Sequence, residues 1–284
     1  MRATRAAKSA LRAGLSSTAA VRELPDFLIV GTKRGGSTSL YNYVLAHPDV
    51  MPLVPSRQNL KGLYFFDVNY ARGDTWYRSH FMTSARRHAT ERRRGHRVLL
   101  GESTPYYLYH PHAPRRAAEL APDARIIMLL RDPVERAYSH YKERWRQGVE
   151  PLTFEKALAA EPKRLEGEFE RMLSDPGYRS FAHQMFSYVD QGRYLDGVRR
   201  WQQSYPDNQI LILRSEDLYA DPAHVVGQVQ RFLGLDPVQL DSYEAWNQKP
   251  AKGMSPEVRA ELTKRLAPDV RRLEDHLRRD MDWL

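Results

Sequence analysis

The chain has 284 residues, and its 44 lysines and arginines against 35 aspartates and glutamates give a formal charge of +9. With 42% hydrophobic and 28% charged residues it has the composition of a globular protein with a sizeable core, which excludes wholesale disorder. The absence of cysteine excludes disulfides, thiol catalysis and cysteine-held metals, and no apolar run nears the ~20 residues of a membrane-spanning helix.

Residues 1–22, the bulk of a segment 1–24 that opens the chain, carry Arg2, Arg5, Lys8, Arg12 and Arg22 and no acid, and so supply five of the nine net charges. The segment is rich in Ala and Ser and lacks the continuous apolar stretch of a secretory signal. It reads as a basic flexible tail ahead of one domain over residues 25–284; contact with a membrane surface is the alternative for such a composition. Short apolar runs follow at Phe27–Val30, Val98–Leu100, Ile126–Leu130 and Ile210–Leu213. They have the length and continuity of strands buried on both faces of a parallel sheet. Helical stretches lie between them at Ser39–Ala46, Pro133–Gln147, Phe154–Ala160, Tyr194–Ser204 and Pro222–Leu233. This alternation predicts a single α/β domain with a central parallel sheet flanked by helices. The polar, basic segment 68–97 reads as a solvated connection, and a last helix begins at Ser255-Pro256-Glu257 with an N-cap, a first-turn Pro and an acid.

Two strand ends carry chemistry. After Phe27–Val30 comes Gly31-Thr32-Lys33-Arg34-Gly35-Gly36-Ser37-Thr38-Ser39-Leu40. Glycines let successive N–H groups turn inward, and a helix start adds unpaired donors and partial positive charge, so an anion is favoured there. Gly31, Gly36 and Thr38 keep the spacing of a nucleotide-triphosphate loop, but Ser37 stands where that loop has its Lys. The cations sit instead at Lys33 and Arg34, an arrangement unsuited to ATP or GTP and suited to a shorter anion. The second end is Leu130-Arg131-Asp132-Pro133, where Asp132 and Pro133 start a helix that carries Ser139. Ligands of open α/β sheets bind outside these carboxyl ends. Arg131 is therefore placed either to fork onto a phosphate or to pair with a surface acid. Two anion sites imply a ligand with two anionic ends.

These two segments resemble the 5′-phosphosulfate loop and the 3′-phosphate motif of sulfotransferases of the heparan-sulfate and carbohydrate type and their bacterial relatives. Tyr64-Phe65-Phe66-Asp67, Glu102-Ser103-Thr104-Pro105-Tyr106 and Leu213-Arg214-Ser215-Glu216-Asp217-Leu218 extend the resemblance over residues 25–284. It implies a P-loop-like domain that moves a sulfuryl group from 3′-phosphoadenosine-5′-phosphosulfate (PAPS) to an acceptor hydroxyl or amine, without a metal. By that pattern Lys33, Arg34, Gly35, Gly36, Ser37 and Thr38 hold the 5′ end, Arg131 and Ser139 the 3′-phosphate, and Lys252-Gly253 a further part of the donor. Lys61 and Tyr106 are the implied acceptor contacts.

The sequence departs from the family twice. Arg34 replaces a Lys that stabilises charge on the bridging oxygen, a task for which Lys33 is a substitute. Gly62, after Lys61, replaces the catalytic Glu. Glu102, at a strand end, is the first replacement as base, with loop orientation as its other reading; Asp67, His110 and His112 follow. The acceptor implied is a glycan, glycolipid or glycosylated metabolite, and phenols stay open. The competing readings are a nucleotide kinase or NTPase of similar fold and a basic nucleic-acid-binding protein. With most of the excess charge in the tail, no nucleic acid is expected as partner, and the location expected is cytoplasmic.

Overall fold

The four apolar runs form four strands of a five-stranded sheet in the computed structural model, which describes residues 5–56, 60–244 and 253–284. The strands are β1 (Phe27–Gly31), β2 (Val50–Met51), β3 (Leu99–Ser103), β4 (Arg125–Leu130) and β5 (Ile210–Arg214). They are ordered β2-β3-β1-β4-β5 and every neighbouring pair is parallel. β2 is a two-residue edge strand, too short to leave a pattern in the sequence. The helices are α1 (Arg5–Ser16), α2 (Ser37–Leu45), α3 (Gly73–Arg78), α4 (Ser84–Arg94), α5 (Ala113–Leu120), α6 (Pro133–Arg146), α7 (Phe154–Leu165), α8 (Glu168–Ser174), α9 (Phe181–Met185), α10 (Tyr194–Ser204), α11 (Ser215–Ala220), α12 (Pro222–Leu233) and α13 (Pro256–Leu277).

Side chains alternate across the sheet, and both sides are apolar because both sides are covered. Phe27, Ile29, Ile127 and Leu129 pack with Leu40 and Val44 of α2 and Val225, Val226 and Val229 of α12. Leu28, Val30, Ile126, Met128 and Leu130 pack on the opposite side with Ala117 of α5, Val198 and Trp201 of α10 and Val270 and Leu273 of α13. The helix starts read at Asp132-Pro133 and Ser255-Pro256 are as predicted, while α2 begins at Ser37, two residues before the predicted Ser39. Asp132 accepts from the amides of Val134 (2.8 Å) and Glu135 (3.4 Å), and Ser255 Oγ accepts from Val258 N (3.3 Å).

Two expectations are corrected. The end of the supposed flexible tail is fixed to the body, because Arg12 in α1 donates to Ser79 O (2.8 Å) and Val54 O (3.1 Å) and Arg22 donates to Phe81 O. Segment 68–97 is a packed helical layer containing α3 and α4. Tyr77, Phe81 and Met82 are buried in it, and the guanidinium of Arg87 pairs with Asp26 (3.0 Å) and Glu91 (3.1 Å). The high charge of this layer serves internal ion pairs as well as solvent.

Strand order changes direction around β1: the chain moves to β2 and β3 on one side, then crosses to β4 and β5 on the other. The crevice outside the carboxyl ends of β1 and β4 is the switch point at which such sheets bind ligands. Gly31 and Leu130 end these strands, so the Gly-rich turn and Arg131 enter the same crevice.

Candidate active site

The Gly-rich turn hangs on the neighbouring strand, with Thr32 N donating to Leu129 O at 2.7 Å. A Cβ on Gly35 would lie 2.8 Å from Leu129 O. Gly36 has φ +89°, and a Cβ on it would lie 2.6 Å from Tyr219 Oη. The backbone is thus a tight cradle closed to side chains. Gly36 is also the N-cap of α2 and supplies no side-chain cap, which leaves the first-turn amides of Ser37 and Thr38 to an anionic group. The residues fit the donor end that the sequence implies.

The predicted cations diverge. Arg34, itself at φ 69°, turns toward α6, where its Nε donates to Ser139 Oγ at 3.0 Å and its guanidinium meets Glu143 at 3.5 Å. Arg131 donates to the carbonyl of Arg34 at 3.0 Å and lies 3.7 Å from Glu135. Arg131, Arg34 and Ser139 are therefore one group, and the two halves of the site adjoin through it. Lys33 turns the other way, donating to Gln184 O and standing 4.8 Å from the ring centroid of Tyr106. Burial, with Arg144 and Arg136 nearby, pulls the Lys33 ammonium down to about 7.

Lys61 takes the position that the turn leaves without a lysine. Its Nζ donates to Thr38 Oγ1 at 2.8 Å and Ser37 Oγ at 3.3 Å. Burial and the charge of Arg34 lower it to about 8. The resemblance implies an acceptor contact for this residue, whereas the geometry brings it to the first turn of α2. The signal available in sequence was only its place before Gly62.

Two sequence-based assignments change. Glu102 is wholly buried, and both of its oxygens are occupied: Oε1 accepts from Tyr107 (2.8 Å) and Tyr77 (3.1 Å), Oε2 from Thr104 Oγ1 (2.7 Å) and Leu63 N (2.8 Å). Burial raises its pKa against these four donors. It has no free lone pair facing a substrate and holds the 63–64 segment against β3, the loop-orienting role. Tyr106 is only 1% exposed, bonded to His183 Nδ1 at 2.6 Å; it lies under Lys33 and does not line an acceptor cleft. His110 is buried and held well below its usual pKa by burial, and His112 Nε2 is engaged with Met172 O at 2.7 Å.

Further braces leave no pattern in the sequence. Ser215 Oγ donates to Gly35 O (2.6 Å), Glu216 accepts from Asp132 N (3.0 Å), and Tyr194 donates to Arg131 O (2.7 Å). The 213–218 motif thus locks the turn and the end of β4. Gly253 accepts from Tyr138 of α6 at 3.2 Å, while Lys252 lies outside the described residues. Among the described residues, no group of His, Asp and Glu is arranged to hold a metal, and no helix is long and apolar enough to cross a membrane.

A Gly-rich turn feeding a helix at the switch point of a parallel sheet places the protein in the P-loop-like class. Within that class, the model of the sulfotransferase domain family matches residues 24–274, and the chain belongs to that family of transferases. It is 30% identical over 236 residues to the mouse bifunctional heparan sulfate N-deacetylase/N-sulfotransferase 4, covering 81% of this chain and 24% of that protein. It is 31% identical over 241 residues to the human heparan sulfate glucosamine 3-O-sulfotransferase 6, covering 82% of this chain and 59% of that protein. The chain thus spans about a quarter of the first relative and under two thirds of the second. The crystal structure of a sulfotransferase from Alicyclobacillus acidocaldarius superposes with a TM-score of 0.66 at 29% identity, covering 91% of this chain and 98% of that one.

Proposed function

We propose that this protein transfers a sulfuryl group from PAPS to a hydroxyl or amine of a glycan, glycolipid or glycosylated metabolite. The observation that carries the reading is the junction of the Gly-rich cradle with Arg131 and Ser139 through Arg34, which suits a donor with two phosphate-bearing ends. The printed names of the relatives, heparan sulfate N- and 3-O-sulfotransferases, support a sugar acceptor.

In this reading the amides of Gly35, Gly36, Ser37 and Thr38 and the ammonium of Lys61 hold the 5′ end. Arg131 and Ser139 hold the 3′-phosphate, with Lys252 and Gly253 completing the donor site. PAPS supplies an activated sulfuryl group and a bisphosphate leaving group. Lys61 stabilises the negative charge that grows on that leaving group, and Arg34 and Lys33 add to the positive field. Rigid placement of the two ends aligns the group for in-line displacement. An ATP-dependent reading is disfavoured by Ser37 at the Lys position of a triphosphate loop. The test is transfer of radiolabelled sulfate from PAPS to a panel of amino sugars, uronate-containing oligosaccharides and phenols. Label on a sugar supports the proposal, and label on none of them refutes it.

A further inference from the structure

Gly62 stands where the resembled enzymes carry their carboxylate, and no side chain fits there: a Cβ would overlap Ser103 O and lie 2.8 Å from Thr104 Oγ1. The base has to come from elsewhere, and Glu102 is sealed by four donors. The histidines near Lys33 do not serve. Burial holds His140 well below its usual pKa, and burial with the charge of Lys33 pulls His183 down to about 3, which leaves both rings weak bases.

We propose that Asp67 is the general base that takes the acceptor's proton; this rests on the sulfotransferase reading above. Asp67 lies in a turn fixed from several sides. Asn69 N donates to Tyr64 O (2.8 Å), Asn69 Nδ2 to Leu63 O (2.9 Å), and Arg116 to Phe66 O (3.0 Å). Tyr107 Oη receives the amide of Phe65 at 2.7 Å. The carboxylate is 5% exposed; Oδ1 accepts from Val68 N, and Oδ2 has no partner. Oδ2 is closed to solvent in the ligand-free protein, and a buried oxygen left unmet on a fixed turn calls for a proton donor that the chain itself does not supply. Tyr64, at φ 50° and 37% exposed, begins the same turn.

The charged and titratable groups facing Asp67 are Lys33 from the Gly-rich turn, Arg116 from α5, Glu102 from β3, and the hydroxyls of Tyr64, Tyr106 and Tyr107. Burial raises its carboxyl to about 7, with the Val68 amide and Lys33 opposing that rise and Glu102 adding to it. A base poised near neutrality is matched to proton removal from an alcohol. As the acceptor oxygen bonds to sulfur, Oδ2 takes the hydroxyl proton. The bond from sulfur to the phosphate oxygen breaks, and its electron pair leaves with the bisphosphate. The proton on Asp67 then returns to solvent.

The test compares wild type with Asp67→Asn and Asp67→Glu. Isotope-edited infrared titration of the ligand-free protein is expected to show a carboxyl titrating near neutrality that is missing from Asp67→Asn. Calorimetry with 3′,5′-bisphosphoadenosine (PAP) is expected to give unchanged affinity. With a glucosamine–glucuronate oligosaccharide as probe, kcat of Asp67→Asn should fall about 10²–10⁴-fold with KM little changed and the acid limb of the pH profile lost. Transfer to 4-nitrophenol, already ionised at mildly alkaline pH, should fall far less, and Asp67→Glu should recover part of the loss. A carboxyl titrating in the ordinary acid range, or equal losses for sugar and phenol, overturns the assignment of Asp67. Failure of the wild type to bind PAP overturns the sulfotransferase reading instead. If Asp67→Asn does not fold, the wild-type titration and the kcat of Asp67→Glu decide.

Discussion

Lys61 Nζ donates to Thr38 Oγ1 across 2.8 Å, and this bond ties the segment before Gly62 to the first turn of α2. A turn that lacks its own lysine at Ser37 receives one from 24 residues further along. The relationship explains why Arg34 is free to turn away and join Ser139. In the proposed reaction it also separates two tasks: a point charge near the leaving group, and a planar guanidinium between the two proposed anion subsites.

Replacing Lys61 should therefore impair chemistry more than folding. For Lys61→Met we expect kcat for sulfuryl transfer to fall about 10²–10³-fold, the cost of removing one electrostatic stabiliser of the transition state. The melting temperature should change little. Wild-type turnover in Lys61→Met would show that the cation acts elsewhere.

Proton linkage gives a second signature. Lys61 is lowered to about 8 and Lys33 to about 7, so part of each population is neutral in the free protein at mildly alkaline pH. An anion favours the charged forms and raises both values. Binding of PAP should then take up protons at pH 8 and nearly none at pH 6. Calorimetry in buffers of different ionisation enthalpy measures this, and Lys61→Met should reduce the uptake. The same shifts bear on folding: the unfolded chain holds these protons up to the ordinary lysine range, so the contribution of these two groups to stability rises with pH above about 7–8.

Restoring the missing carboxylate at position 62 should fail. Gly62→Ala places a methyl against Ser103 O, and overpacking of this kind costs about 1–3 kcal/mol. Denaturant unfolding should report a loss of that size for Ala and more for Glu, with no gain in activity. A fully stable Gly62→Ala would mean that the backbone there moves aside freely.

Glu102 should behave as scaffold. Glu102→Ala strands the Leu63 amide and the hydroxyls of Tyr77, Thr104 and Tyr107, each buried donor costing about 1–3 kcal/mol when unmet. The expected outcome is a large fall in melting temperature. Glu102→Gln keeps the shape, loses stability more mildly, and should keep the pH profile of kcat in the folded fraction. A profile that loses its acid limb in Glu102→Gln would return the base to this residue.

Much of this fold is legible in the sequence because both faces of its central strands are covered. Phe27–Val30 and Ile126–Leu130 announce themselves as continuous apolar runs, and Asp132-Pro133 and Ser255-Pro256 announce the helices that follow. The cradle and Arg131 are legible for a related reason, since strand ends at a switch point fix where such residues go. What local pattern does not carry is the partner of a side chain across the fold. Glu102 looks like a base until Tyr77 and Leu63, from segments 25 and 39 residues away, fill its oxygens. Asp67 looks ordinary until Oδ2 is found without a partner. Segment 68–97 reads as solvated because its arginines hide that Arg87 is spent on Asp26 and Glu91.

The central claim, a site built for a donor with a 3′-phosphate beside its 5′ end, is tested most directly by the affinity of the wild type and Arg131→Ala for PAP and for adenosine 5′-phosphate. A charge-assisted contact is worth about 1.5–3 kcal/mol, so the wild type should prefer PAP by about ten- to a hundredfold. Arg131→Ala should lose most of that preference while its affinity for adenosine 5′-phosphate stays the same. Equal binding of the two nucleotides by the wild type, or a preference unchanged in Arg131→Ala, would contradict the account.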